Sequence, residues 1–282
     1  MGGVAVVTDS TASLPPAVLD VVDVVVVPLQ VVVDGTAHRE GVDLSPARLV
    51  EVLRAGAHVT TSQPGPEAFA RAYARVAARG VREIVSVHLS GELSGTVVSA
   101  RTAAQTAAVP VHVVDSRSVG MGLGLAALAG ARAAAEGANG AAVARAAEVC
   151  AGGTTVLFAV DTLEHLRRGG RLGPVAAALG TVLGMRPVLG VRAGRLEVVE
   201  KVRTSARARG RLVELVAQDV GRRGEVDLAV HHLGDPDAAE ALAEEVRSTC
   251  GDAVRHVHVA EISAVVGAHA GPGMLAVVVA DA

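Results

Sequence analysis

Apolar and polar positions alternate in blocks along the first half of the chain. Short, mostly apolar runs at 3–7, 24–27, 29–33, 84–89 and 111–114 stand between longer stretches of mixed polarity. Runs of this length, rich in Val and bounded by turn residues, predict strands buried on both faces. The stretches between and after them predict helices at 46–54, 67–79, 96–108, 123–135 and 141–151. Ser45-Pro46 supplies an N-cap followed by a first helical proline, Pro15-Pro16 opens a further short helix, and Asp34-Gly35 marks a turn. Strand and helix in alternation argue for a mostly parallel sheet with helices on both faces.

Composition shifts near Gly152-Gly153, which divides the chain into an N-terminal α/β domain over 1–152 and a C-terminal α/β domain over 153–282. The second half opens with a strand at 155–160, a short helix ending at Arg168 and a helix at 175–183. A hairpin follows, pairing 188–191 with 196–199 across Ala193-Gly194, and then a helix ending before Gly224. Strand, helix and strand at 226–231, 238–249 and 254–260 lead to a last strand at 274–279. The pattern predicts helices packed on a smaller mixed sheet.

Polar residues gather where the strands end: Thr8-Asp9-Ser10-Thr11, a loop at 59–64, Asp115-Ser116-Arg117-Ser118 and a loop at 265–273. In parallel α/β sheets such ends are where ligand sites collect. The stretch Leu89-Ser90-Gly91-Glu92-Leu93-Ser94-Gly95-Thr96 lies between a strand and a helix. Glycine there lets backbone N–H groups turn toward a ligand, and the helix start adds partial positive charge. The loop has hydroxyls and amides but no formal positive charge, which suits one carboxylate or phosphoryl group rather than a polyphosphate.

Half of the 282 residues are hydrophobic but only 1% are aromatic, so the interior is built from Val, Leu and Ala. That composition argues against base recognition by stacking, and a net charge of -3 provides no basic field for nucleic acid or an anionic membrane. Lys201 is the only lysine. Cys150 and Cys250 lie far apart in helical contexts and read as buried free thiols. The first residues lack a basic leader and no clean run of about 20 apolar residues occurs, so a cytoplasmic protein without a transmembrane segment is expected.

Tests for known chemistry narrow the field. Neither Ser90 nor Ser94 has the flanking glycines of a nucleophile elbow, and no Gly-Lys-Ser or Gly-Lys-Thr phosphate loop occurs. Gly120-Met121-Gly122-Leu123-Gly124 is half a dinucleotide fingerprint and reads as close helix packing. His231-His232 and His256-Val257-His258 alternate across strand faces without clustered Cys, Asp or Glu, so they read as edge-strand histidines and no metal site is expected. His269 lies in a Gly/Ala/Pro stretch read as a loop and is a candidate site residue. Arg167, Arg168 and Arg171 read as a solvated helix end, with a docking patch for an acidic or phosphorylated partner as the functional alternative.

Taken together, these segments resemble the DegV family of bacterial fatty-acid-binding proteins. The resemblance rests on Thr8 to Thr11, Thr61-Ser62-Gln63-Pro64, Leu89 to Thr96, Asp115-Ser116, Met121-Gly122, Asp161-Thr162-Leu163, Gly169-Gly170-Arg171, Lys201-Val202-Arg203 and His269 to Gly273, in the family's order. It implies two α/β domains with one long-chain fatty acid, such as palmitate, stearate or oleate, in an apolar tunnel between them and no cofactor. Thr61 and Ser94 would hold the carboxylate, with Ser62, Ser90, Gly95, Thr96 and His269 around them. It also implies a non-catalytic role. The bound acid would be presented to a separate fatty acid kinase that forms an acyl phosphate, a step toward phospholipid synthesis, with Arg171 and Arg203 in the docking region. Two positions depart from the family pattern: Gly91 often has Ser in its place, and Glu92 adds a negative charge to a loop meant for an anion. The rival is a stand-alone phosphotransferase or hydrolase using His269, because the family's first domain is similar in fold to part of the dihydroxyacetone kinases.

Overall fold

The computed structural model describes residues 3–172 and 186–282, so the helix expected at 175–183 lies outside the described residues. A four-stranded sheet in the order β2-β1-β6-β7 is built from β1 (Val4–Asp9), β2 (Val24–Val27), β6 (Glu83–His88) and β7 (Val111–Asp115). All its neighbours are parallel, with Val7 opposite Ser86 and Val87 opposite Val114. β1 and β6 are almost wholly buried along their length, as their apolar runs require.

A second, three-stranded antiparallel sheet pairs β3 (Gln30–Val33) with β4 (Thr36–Arg39) and with β5 (Val59–Ser62). The sequence reading takes 59–64 as a loop, but two consecutive threonines after Val59 suit a half-exposed strand, and β3 offers them a ladder with Val31 opposite Thr61. Thr61 is thereby fixed on a strand.

The mixed sheet of the second half has six described strands, more than the parallel one. Its order is β10-β9-β8-β13-β11-β12, formed by β8 (Thr155–Ala159), β9 (Arg186–Arg192), β10 (Arg195–Val202), β11 (Val226–His232), β12 (Val254–Glu261) and β13 (Leu275–Asp281). Ala193 and Gly194 join β9 to β10 with φ of 50° and 85°, the left-handed pair that a tight twisted hairpin needs. β11 lies between β13 and β12, so His231 is a buried interior residue rather than an edge one. One sheet face, with Leu157, Leu228, Val230 and Val277, is covered by helices Ser205–Val220 and Pro236–Cys250.

The other face turns toward the parallel half. Helix Met121–Ala135 packs on β1 and β6 and also on β13, and it is apolar almost all round because it is covered from both sides. Its glycines permit this approach: a methyl group on Gly122 would stand 2.9 Å from Val156 Cγ2. The largest buried cluster runs from Val6 and Val87 through Leu123 to Phe158, Ile262 and Ala276, so the two halves share a core. The cavity described next opens within that shared region.

Candidate functional site

A cavity of about 330 Å3 lies where strand ends and loops of the parallel half meet the inner face of the mixed sheet. Such a volume is within the range of roughly 300–1,000 Å3 for clefts that bury small ligands. Its polar lining consists of Thr61, Ser62, Gln63, Ser94, Arg171 and His269, while Leu166, Phe158, Leu196, Ile262, Met274 and Ala276 provide apolar wall. Phe158 and Ala276 are opposite one another on β8 and β13, and Ala276 is opposite His231 on β11, so one row across the mixed sheet forms part of that wall. His231 presents no free nitrogen to the cavity. Its Nδ1–H donates to the Ala260 carbonyl at 3.0 Å, and its Nε2 accepts from Met121 N–H at 3.0 Å.

The polar lining is organised by His269. Far from lying in a loop, His269 sits in helix Ala264–Ala270, whose N-cap Ser263 accepts from Val266 N–H. Glu40 reinforces that start by accepting from Val265 N–H at 3.0 Å, and burial pushes its carboxyl upward from the usual range. His269 Nε2 is 2.8 Å from Thr61 Oγ1, whereas Nδ1 is buried and has no partner among the described residues. An orphaned N–H costs more than an idle lone pair, so we place the proton on Nε2, donating to Thr61. The hydroxyl proton of Thr61 is then left for a ligand.

Burial, with the Arg171 charge as a smaller contribution, pushes the His269 imidazole down to about 4. At neutral pH the positive charge of the site therefore belongs to Arg171. Its guanidinium donates to the carbonyls of Leu93 at 3.2 Å and Gly169 at 2.7 Å. Gly169 has φ of -74°, which any residue adopts, yet a methyl group there would overlap His269 Nδ1. The glycine serves close approach, not backbone freedom.

The loop carrying Ser94 is anchored at nearly every position. Ser90 Oγ donates to Gly194 O at 2.7 Å, Gly91 N–H is held by Asp115, and Ser94 N–H donates to Ser90 O at 3.1 Å. Glu92 pairs with Arg195 at 2.9 Å on the surface, so its charge is turned away from the cavity. Ser94 Oγ faces the cavity and is 2.9 Å from Thr96 Oγ1. The ensemble offers hydroxyl donors and one guanidinium to a single small anion beside an apolar chamber.

A family model described as "Uncharacterised protein, DegV family" matches residues 3–282. This chain belongs to the DegV family. It is 47% identical over 278 residues to a DegV domain-containing protein of Streptomyces coelicolor, covering 99% of this chain and 98% of that one. Among solved structures, a DegV family protein of Thermus thermophilus described by its fatty acid binding is 37% identical, with a TM-score of 0.92 over 99% of this chain and 100% of that one. DegV of Bacillus subtilis, described as a fatty acid binding protein, is 29% identical with a TM-score of 0.92 and full coverage of both chains.

Of the residues singled out from the sequence of this DegV chain, the fold brings Thr61, Ser62, Ser94, Arg171 and His269 to the cavity lining. It places Ser90, Gly95 and Thr96 behind that lining: Ser90 grips the hairpin, Gly95 leaves room for the Gln63 side chain, and Thr96 backs Ser94. Arg171, assigned to partner docking from the sequence, is half-buried in the cavity wall, while Arg203 is exposed beyond β10. The sequence reading missed Gln63 as a lining residue and Gly169 as the seat of His269, although both fall inside motifs it singled out. Among the described residues no group of three or more His, Cys, Asp or Glu is placed to hold a metal ion, and no helix is long and apolar enough to cross a membrane.

Proposed function

We propose that this DegV protein binds one long-chain fatty acid in the cavity between its two halves, with the carboxylate at Thr61, Ser94 and Arg171 and the acyl chain along the apolar wall. The observation that carries the reading is the segregation of the lining into one group of residues with free polar atoms and an apolar remainder, in which both His231 nitrogens are taken up by the protein. The descriptions of the Thermus and Bacillus relatives as fatty acid binding support it. Burying a C16 chain at ~0.8 kcal/mol per methylene gives a gross gain on the order of 12 kcal/mol before ordering costs. The head-group residues then chiefly fix orientation.

The finer part of the proposal is that the carboxylate is presented to a separate fatty acid kinase and that the protein itself performs no chemistry. A histidine pushed down to about 4 and engaged by Thr61 is a weak base at neutral pH, which supports a carrier over a hydrolase or phosphotransferase built on His269. Arg203, exposed beside the mixed sheet, remains available to a docking partner.

Native mass spectrometry of the protein as purified, followed by lipid extraction, tests the reading. One fatty acid of C14 to C18 per chain is the expected mass gain. Ser94→Ala should weaken palmitate retention about tenfold, the worth of one hydrogen bond to a charged group. A chain that is empty and takes up neither palmitate nor oleate would overturn the binding proposal, and turnover of ATP or an ester by the purified protein alone would overturn the carrier role.

A further inference from the structure

Beneath the loop 89–96, and outside the cavity, four polar side chains form one line of hydrogen bonds. Asp9, Ser86 and His88 are wholly buried and Tyr73 is 1% exposed. Asp9 ends β1 and His88 ends β6, two neighbouring parallel strands. Asp9 Oδ2 accepts from His88 Nδ1–H at 3.0 Å and from Leu89 N–H at 3.1 Å, while Oδ1 accepts from Thr11 N–H and the Thr11 hydroxyl. His88 Nε2 is 2.7 Å from Ser86 Oγ, which also accepts from the Tyr73 hydroxyl at 2.9 Å. Burial pushes the Tyr73 hydroxyl up to about 12, so it remains a donor. The order of donation runs from Tyr73 through Ser86 and His88 to Asp9, and Phe69 meets the imidazole edge-on at 4.9 Å.

The line has the residue types of a hydrolytic triad, but Ser86 lies mid-strand with no exposed surface and its oxygen is occupied by Tyr73. An apolar quartet would fill the same space without the desolvation cost of these groups. What the polar set adds is a fixed acceptor for Leu89 N–H, the first amide of the loop that ends in Ser94. The imidazole sets the rotation of the Asp9 carboxylate, and that carboxylate sets where the loop leaves the sheet. We propose that Asp9 and His88 are positioning residues for the head-group site, holding Ser94 in register with Thr61 and Arg171. The inference rests on the proposed carboxylate binding and extends it to residues that touch no ligand.

The test compares two probes of equal chain length, palmitate and 1-hexadecanol, on wild-type protein and on Asp9→Asn. The asparagine amide has one oxygen for the two sides that the carboxylate serves, so its N–H2 stands either against the donors of Leu89 and His88 or, flipped, against the Thr11 N–H, and in both orientations the anchor is broken on one side. Palmitate affinity should fall about tenfold, one charge-assisted hydrogen bond's worth, while hexadecanol affinity stays within about twofold. Equal losses for both probes, or no loss for either, would overturn the positioning role. A wild-type protein with no preference for palmitate over hexadecanol would instead overturn the head-group reading beneath it. The unsubstituted protein gives a second measurement that needs no variant to fold. The His88 Nδ1–H proton resonance, identified by its cross-peaks to the Phe69 ring, should shift with palmitate and stay in place with hexadecanol. Equal response to both would also overturn the proposal.

Discussion

The ligand-free protein is expected to lose stability steeply as the pH is lowered from 6.5 toward 4. His231 and His269 are both pushed from an ordinary value of 6.5 down to about 4, chiefly by burial, with the neighbouring Arg171 charge adding to the effect at His269. A histidine depressed in the folded state takes up its proton more readily when unfolded. Acid therefore favours the unfolded chain, and stability is intact above 6.5 and falls through the window to 4. Each histidine accounts for roughly 3 kcal/mol at the acid end of the window, from about 1.4 kcal/mol per unit of displacement. Urea midpoints measured across this range should drop, and His269→Gln should flatten the dependence by the share of one histidine, leaving His231 and the less displaced His165 against the opposing contribution of Glu40, whose raised carboxyl takes up its proton more readily in the folded state. Identical pH dependence in wild-type protein and His269→Gln would show that the His269 imidazole is not kept neutral, a comparison in which the opposing contribution of Glu40 cancels. Palmitate should blunt the loss at His269, because a carboxylate beside the ring favours its charged form.

Gly169→Ala is expected to cost the protein most of its grip on the head group. The backbone at 169 accepts alanine without strain, so the effect comes from one methyl group overlapping the His269 ring. Displacing the imidazole removes the Nε2 partner of Thr61, and the carbonyl of residue 169 that receives Arg171 moves with it. Two hydrogen bonds that orient charged or anion-facing groups are worth on the order of 2–3 kcal/mol, so palmitate affinity should fall roughly 30- to 150-fold. Gly210→Ala is the matched control: it lies in helix Ser205–Val220 with nothing within 4 Å of the added carbon, and there alanine should stabilise. Palmitate titrations of the two variants decide the matter. Equal affinities would mean that the ring finds room and that Gly169 has another reason.

The regular parts of this fold were legible because they are local. The runs at 3–7, 84–89 and 111–114 became parallel neighbours, and Ala193-Gly194 turned the hairpin as its dipeptide promised. Ser45 caps its helix through the Arg48 amide, as read from two adjacent residues. The misread segments depend on distant partners. Residues 59–62 become a strand only because β3 is there to pair with them. His269 falls in a glycine-rich stretch that is helical because Ser263 caps it and Glu40, 225 residues away, receives its Val265 amide. The polar line from Asp9 to His88 spans 79 residues, and no spacing in the chain reveals it. Family motifs located the cavity's polar residues as a group, but not which of them face inward. That choice is made by the anchoring of Ser90, Glu92 and Thr96 to other partners.

The contact between Ser90 and the β9–β10 turn couples two segments that lie far apart in the chain. The Ser90 hydroxyl occupies the space a side chain at 194 would need, standing 2.5 Å from where its first carbon would be, while Ala193 O also receives Arg117. A serine in one half and a glycine in the other, 104 residues apart, are thus a single steric unit. A bulkier residue at either position obliges the turn to lift, and the loop bearing Ser94 to follow. A side chain at 194 is thus excluded twice, by the left-handed φ of 85° and by the Ser90 hydroxyl, so the turn and the loop bearing Ser94 keep their places or shift as one piece.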